Sequence, residues 1–162
     1  MPRSPLVLLV DNHADTREMY AEYLRARGFR VIACSDSKAS IELAYATLPD
    51  IVLLELRMTG MNGAQVLAEL RKNPDLAQRP VVALTASVMT PDRTAAMAAG
   101  FTELLAKPCF PEDVAAAIDR LVSASTSTSA HHSGLGEGHR LVRRRRPSPH
   151  VLPPDAVAES PR

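Results

Sequence analysis

The sequence predicts an α/β fold in which one parallel sheet of five strands is covered by helices on both faces. One observation and one general rule support this prediction. Short apolar runs alternate with amphipathic stretches five times between residues 3 and 123. Successive strand–helix units of this kind form parallel sheets through right-handed crossovers.

The first unit begins with the apolar run 6–10. This run has no polar interruption, as in a strand that is buried on both faces. Residues 15–27 carry apolar side chains on one helical face, and Gly28 follows at a position typical of a helix C-cap. Residues 30–33 predict the second strand, and residues 37–48 predict the second helix.

The third unit contains the strongest strand pattern, residues 50–56, in which Ile-Val-Leu-Leu leads into Glu55. Residues 62–72 have helical spacing and are followed by Asn-Pro, which ends a helix. Residues 81–84 then predict a fourth strand.

The last two helices have recognisable starts. Thr90 precedes Pro91, so we expect Thr90 as the N-cap and Pro91 as the first residue of a helix that runs to residue 99. Residues 102–105 predict the fifth strand, and residues 111–122 predict the last helix.

Five strands in one small domain fit the flavodoxin-like, doubly wound order 2-1-3-4-5, which places a ligand site beyond the carboxyl ends of the strands. The polar residues at those ends are Asp11, Asn12, Glu55, Thr85 and Lys107. Each one alone is more often a helix cap or a loop residue. Their joint occurrence at four strand ends predicts a functional site.

Several short segments share a pattern with one known family: LLVD at 8–11, PDIVLLEL at 49–56, MNG at 61–63, LTA at 84–86, AG at 99–100 and KP at 107–108. Over roughly residues 5–122 the chain resembles the receiver domain of two-component response regulators. In that family an aspartate after the third strand takes a phosphoryl group from a phosphohistidine of a partner kinase.

The resemblance also implies roles for the other residues at the strand ends. Thr85 and Lys107 correspond to the pair that binds the phosphoryl oxygens. The Mg²⁺ ligands by position are Asp11, Asn12, Glu55 and the backbone carbonyl of Arg57.

Four positions depart from the family pattern. Glu55 replaces the phosphate-accepting aspartate, and Asn12 replaces an acidic metal ligand. Thr59 stands in place of a loop proline, and Leu104 stands in place of an aromatic switch residue. A carboxylate displaced by about 1 Å can cost about 10²-fold in rate. We therefore expect a receiver that acts without phosphorylation, with Mg²⁺ bound weakly or not at all.

Glu55 itself has two interpretations. Its longer side chain places a carboxylate near the expected phosphoryl position and could mimic the phosphorylated state, although it has less charge and fewer acceptor oxygens than a phosphate. Alternatively, Glu55 pairs with Lys107 and stabilises the edge of the sheet without a signalling role.

Composition divides the chain into a receiver-like domain, residues 3–123, and a Ser-, Pro- and Arg-rich tail, residues 124–162, which we expect to be disordered. The net charge is −2 up to residue 123 and +3 beyond it. Four consecutive arginines, Arg143 to Arg146, lie in this tail. Cys34 and Cys109 are expected to be free thiols in the cytoplasm, and no segment is apolar enough for a membrane span.

These observations favour a stand-alone receiver-like protein in phosphorelay signal transduction that is not an enzyme. We expect it to contact a histidine kinase, a phosphotransferase or a downstream target protein. The alternatives are a response regulator that still accepts phosphate, and nucleic-acid binding through the four arginines. A small-molecule enzyme is least supported, because the chain has no G-x-x-x-x-G-K-[ST] loop.

Overall fold

The computed structural model describes residues 3–86 and 89–130, which alternate strand and helix five times, as predicted. The strands are β1 (Leu6–Val10), β2 (Arg30–Cys34), β3 (Ile51–Glu55), β4 (Val81–Thr85) and β5 (Glu103–Ala106). The helices are α1 (Ala14–Ala26), α2 (Ser37–Thr47), α3 (Gly63–Arg71), α4 (Thr90–Ala99) and α5 (Pro111–Ala130).

The five strands form one parallel sheet in the order β2-β1-β3-β4-β5, which confirms the flavodoxin-like prediction. The chain runs from β1 outward to β2 and then crosses to β3 on the other side of β1. Strands β1 and β3 are therefore neighbours whose following loops diverge. This is the switch point at which folds of this kind place their ligand site.

Two apolar layers hold the sheet between the helices. On one face, side chains of β1, β3 and β4 pack with those of α2, α3 and α4; on the other, alternate residues of the same strands pack with α1 and α5. The three central strands β1, β3 and β4 are buried on both faces. Continuous apolar runs are therefore required there, since successive side chains point to opposite faces.

Most element bounds lie within one or two residues of the prediction. Gly28 and Gly100 both have positive φ angles, of 94° and 103°. Gly100 directly follows α4, and Gly28 follows Arg27, which is the C-cap of α1. This conformation favours glycine and ends each helix. The start of α4 differs from the prediction, because Met89 is the N-cap and Thr90 is already helical.

The last helix is longer than predicted: α5 continues past residue 122 to Ala130, so residues 124–130, which we expected to be disordered, are helical. Three hydroxyl groups in this last part donate to backbone carbonyls four residues earlier: Ser125 to Leu121, Thr126 to Val122 and Ser127 to Ser123. The helix thereby satisfies the polar side chains that we expected to end it. The remainder of the predicted tail, residues 131–162, including the four arginines, lies outside the described residues.

Cys34 and Cys109 are both free, in agreement with the prediction. Among residues 3–86 and 89–130, no helix has the length and hydropathy that a membrane span needs.

Candidate functional site at the carboxyl edge of the sheet

Four of the predicted site residues lie at one edge of the sheet because the strands are parallel. Asp11 follows β1 directly, Glu55 ends β3, Thr85 ends β4 and Lys107 follows β5. Backbone hydrogen bonds continue the sheet just beyond β1 and β5. The Asp11 amide donates to the Cys34 carbonyl of β2, and the Lys107 amide donates to the Thr85 carbonyl of β4. The side chains therefore start from well-defined positions.

Lys107 joins two buried carboxylates at the centre of the site. Its Nζ lies 2.5 Å from Oδ2 of Asp11 and 2.8 Å from Oε2 of Glu55. Asp11 is fully buried, Glu55 is 3% exposed, and the Lys107 side chain is 13% exposed. We predicted the approach of Lys107 to Glu55, and the structure confirms it. The second bond, to Asp11, was not predicted.

Each carboxylate divides its two oxygens between Lys107 and the backbone. Oε1 of Glu55 accepts a hydrogen bond from the Arg57 amide at 3.0 Å, and Oδ1 of Asp11 accepts one from the His13 amide at 2.9 Å. Carboxylates that accept backbone N–H groups are held in one orientation. The side chain of Glu55 is thus fixed at both oxygens.

The ammonium of Lys107 experiences opposing influences. Burial lowers the pKa of Lys107, but the hydrogen bonds to Asp11 and Glu55 outweigh burial, so the pKa lies above its usual value of 10.5. Lys107 therefore stays charged throughout the neutral range.

The start of α3 fixes the end of β3 from the other side. Asn62 caps α3 through a capping box with Gln65, and the Gly63 amide donates to the Leu56 carbonyl at 2.9 Å. A Cβ atom at Gly63 would lie 2.8 Å from the backbone oxygen of Glu55 and 2.9 Å from Cα of Leu56. Only glycine fits this close approach of helix to strand.

His13 is the site residue that sequence reasoning missed. Its Nδ1 lies 3.3 Å from Oδ1 of Asp11, and ligand atoms of Asp11, His13 and Glu55 all lie within 4.8 Å of one another. The imidazole is 67% exposed. A histidine two residues after an acid at a strand end was the available signal.

The remaining predicted site residues lie further out. Asn12 is exposed, and so is Arg57, whose guanidinium lies 3.9 Å from a carboxylate oxygen of Asp92 on α4. Thr85 is fully buried and lines a cleft together with Arg57 and Asp92. Thr59 is exposed in the loop after β3.

Leu104, at the position of the family's switch residue, is 7% exposed and belongs to the apolar layer beside α4. A leucine side chain has no polar group, so a buried Leu104 cannot hydrogen-bond to the site. Asp50, the other acid next to β3, lies at the opposite end of that strand. It binds Arg3, Arg79 and the Leu6 amide there, so it takes no part in the site.

Comparison with known proteins agrees with the fold. A model of the response regulator receiver domain family matches residues 7–119. The chain therefore belongs to the response regulator receiver domain family of two-component signalling.

Curated relatives resemble this chain at about one third identity. The probable transcriptional regulator ycf29 of Pyropia yezoensis is 32% identical over 117 residues, which cover 72% of this chain and 53% of the relative. The probable transcriptional regulatory protein TcrX of Mycobacterium tuberculosis is 36% identical over 109 residues, which cover 67% of this chain and 45% of the relative. The chain thus spans about half the length of these relatives.

Among solved structures, the receiver domain of the sensor histidine kinase PA1611 of Pseudomonas aeruginosa is similar, with a TM-score of 0.69 and 25% identity. The similarity covers 74% of this chain and 98% of that one. That structure is described with a magnesium ion coordinated in its active site cleft.

Proposed function

We propose that this chain is a receiver domain in which Glu55 occupies the phospho-acceptor position, and that it acts by protein–protein contact without being phosphorylated. Its partners are a histidine kinase, a phosphotransferase or a downstream target protein. The domain transfers no group itself, so we do not class it as an enzyme, and we place it in the cytoplasm.

The observation that carries the proposal is the double contact of Lys107 with Asp11 and Glu55 at 2.5 and 2.8 Å. The family resemblance assigns this lysine to a phosphoryl oxygen. Here its ammonium is already engaged by a carboxylate that belongs to the chain. Phosphoryl transfer depends on positioning and on free positive charge around the transferred group. A Lys107 held by two carboxylates offers no free positive charge to an incoming phosphoryl group.

The contact also favours a fixed state over a switch. The Glu55 carboxylate takes a place near Lys107 that a phosphate would otherwise take, and the Arg57 amide holds its other oxygen. Glu55 therefore resembles a permanent, weaker substitute for the phosphoryl group. Leu104 supports this interpretation, because a buried leucine cannot reproduce an aromatic rotamer switch that reaches the surface.

The donor set fits Mg²⁺ poorly. Mg²⁺ requires near-octahedral oxygen ligands and tolerates little distortion. Here Lys107 already binds both buried carboxylates, Asn12 adds no charge, and the side-chain ligand atom grouped with the two carboxylates is the His13 nitrogen. We propose that Asp11, Glu55 and the carbonyl of Arg57 hold Mg²⁺ only weakly.

The competing candidate is a response regulator that accepts phosphate on Glu55. The names of the curated relatives describe transcriptional regulators, and this supports a regulatory role without deciding whether the carboxylate is modified. Both candidates predict the same fold, so a chemical test is needed.

The test is incubation of the full chain with Mg²⁺ and a small phosphodonor such as acetyl phosphate, followed by intact-mass measurement. We expect no added phosphate mass for the natural sequence. Glu55→Asp should gain some phosphorylation because it shortens the side chain by one methylene. Glu55→Asp with Asn12→Asp should gain more, because it also restores the second acid.

Glu55→Gln is the matched control, since it keeps the length of the side chain but offers no carboxylate. Stable phosphorylation of the natural sequence that Glu55→Gln abolishes would refute the proposal and establish the competing candidate.

A further inference from the structure

Helix α1 carries an acidic groove on its outer side. The groove is lined along the helix by Asp15, Glu18, Met19, Glu22, Tyr23 and Ala26, and it is closed by Pro111 at the start of α5. The three acids recur at helical spacing and form one stripe, with apolar side chains between them. Glu112 and Asp113 follow Pro111 directly and are exposed.

The carboxylates of this stripe have no cationic partner in the described part of the chain. No residue of 3–86 or 89–130 forms an ion pair with Asp15, Glu18 or Glu22. The nearest arginines on α1 are turned elsewhere: Arg17 donates to the Asp11 carbonyl, and Arg25 donates to the Val31 carbonyl. The groove is therefore a negatively charged surface with an apolar floor.

One segment of this chain has the complementary chemistry. Leu141 and Val142 are followed by Arg143, Arg144, Arg145 and Arg146, so an apolar pair precedes four consecutive guanidinium groups. Guanidinium groups bind carboxylates in a planar, two-bonded geometry that ammonium groups cannot form. The apolar pair matches the Met19 and Tyr23 side chains between the acids.

The chain length permits this contact within one molecule. Helix α5 has 20 residues, so Ala130 lies about 30 Å along the axis from Pro111, at about 1.5 Å per residue. The 13 residues from Ala130 to Arg143 can span up to about 45 Å when extended. The arginines can thus return to the start of α5. A tether of this length keeps the segment at an effective concentration on the order of millimolar.

We propose that the segment from Leu141 to Arg146 docks in the acidic groove of α1 in the same molecule. The inference does not depend on the state of Glu55 and stands apart from the proposed function. The contact covers part of the α1 surface and can be removed by salt, because exposed charges are screened over about 8 Å at physiological ionic strength.

The test compares backbone amide NMR shifts of the full natural chain with those of a variant in which all four arginines are changed to glutamine. We expect shift differences concentrated at Asp15–Ala26 and at residues 111–113. These differences should decrease several-fold between about 0.05 and 0.5 M salt, as the screening length shortens. Equal α1 shifts in both proteins would overturn the proposal and would leave the arginines to another partner, such as a nucleic acid.

A reciprocal charge exchange gives the stricter test. Glu18→Arg with Glu22→Arg should abolish the shift differences, and adding Arg→Glu changes at positions 143 to 146 should restore them. Glu42→Arg with Asp75→Arg is the matched control, because Glu42 is exposed on α2 and Asp75 is exposed in the loop after α3, and it should leave the shift differences at α1 unchanged.

Dilution identifies the molecule that supplies the arginines. Shifts that stay constant on dilution support docking within one chain. Shifts that disappear on dilution show that the arginines come from a second copy and overturn the intramolecular proposal. The tail variants leave the described domain unaltered, so a failure to fold does not obscure the result.

Discussion

At the scale of single residues, the side chain of Lys107 decides the character of the site. Two carboxylates this close together in a buried place repel each other, and each would lose its contact with water. One ammonium between them, at 2.5 and 2.8 Å, relieves both costs. Asp11, Glu55 and Lys107 therefore form one unit, and changing one of the three should affect the other two.

We expect unequal costs when members of this unit are removed. Lys107→Met leaves two buried carboxylates without a counter-ion, and breaking a buried pair in this way costs about 3–5 kcal/mol of the free energy of unfolding. Glu55→Gln should cost less, because Asp11 still pairs with Lys107. A double-mutant cycle of the two changes should give a coupling of roughly 0.5–3 kcal/mol.

The measurement is urea unfolding of the two single variants and the double variant. Lys72→Met is the control, because Lys72 forms an exposed pair with Glu69 three residues earlier and should affect stability little. A coupling near zero would mean that Glu55 and Lys107 do not stabilise each other and would remove the basis for a fixed site.

The raised pKa of Lys107 makes a separate prediction about pH. Because the pKa in the folded state lies above the unfolded value of 10.5, the stabilisation from Lys107 is fully present below 10.5. It is lost as pH rises through the higher folded pKa. The difference in unfolding free energy between the natural chain and Lys107→Met should therefore stay constant from pH 7 to about pH 9 and shrink only above about 10.5.

Chemical denaturation of both proteins across this pH range provides the check. Comparison with the variant cancels the titration of the lysines and tyrosines that Lys107 does not influence. The exception is Tyr20, because burial raises its pKa and the charge of Lys107 lowers it. A difference that already declined near pH 8 would show that the folded pKa of Lys107 is lowered, and that burial outweighs the two carboxylates.

At the scale of elements, the contact between α3 and the end of β3 positions Glu55. Helix α3 begins against the backbone of Glu55 and Leu56, and the capping box of Asn62 and Gln65 fixes where the helix starts. The loop after β3 can therefore neither lengthen nor slide without moving the Glu55 carboxylate. The geometry of the site depends on packing as much as on the side chains that form it.

We expect Gly63→Ala to destabilise the domain although alanine is the better helix former. Helix propensity alone would stabilise it by up to about 1 kcal/mol. A Cβ atom 2.8 Å from the Glu55 carbonyl oxygen instead forces a backbone shift, and overpacking of this kind costs about 1–3 kcal/mol. Helix propensity and the steric clash change the free energy of unfolding in opposite directions, so the sign of the measured change shows which effect is larger.

Thermal unfolding monitored by circular dichroism measures the effect, and the amide shifts of Glu55 and Arg57 report whether the site moves. Ala68→Gly, at an exposed position of the same helix, is the control for propensity alone. A more stable Gly63→Ala protein would show that α3 can move away from β3 at little cost.

At the scale of the whole molecule, the sheet and its two apolar layers are complete within the described residues. Residues 124–127 of α5 carry small and hydroxyl side chains that are mostly exposed, and they bury little apolar surface. Stability therefore comes from the region that ends near Val122.

We expect deletion of residues 131–162 to change the melting temperature little. Docking of arginines on α1 is an exposed electrostatic contact, and such contacts contribute about 0–1 kcal/mol. Differential scanning calorimetry of the full and shortened chains tests this prediction. A large decrease in melting temperature would mean that the deleted residues bury apolar surface on the domain.

The amino-acid sequence by itself determined the order of strands and helices, the central position of β1, β3 and β4, and the edge of the sheet at which the site lies. These features follow from local patterns. A strand buried on both faces needs an uninterrupted apolar run, and parallel strands bring their carboxyl ends to one edge. Asp11, Glu55 and Lys107 could therefore be placed near one another before any coordinates were known.

Only the tertiary structure decided which groups within that edge touch. The stem of Lys107 is long and flexible, and whether it reaches one carboxylate or two depends on how deeply β1, β3 and β5 bury their ends. The approach of His13 to Asp11 depends on the turn that leads into α1. Distances between side chains on separate elements are set by how the elements pack, and the amino-acid pattern along the chain does not specify them directly.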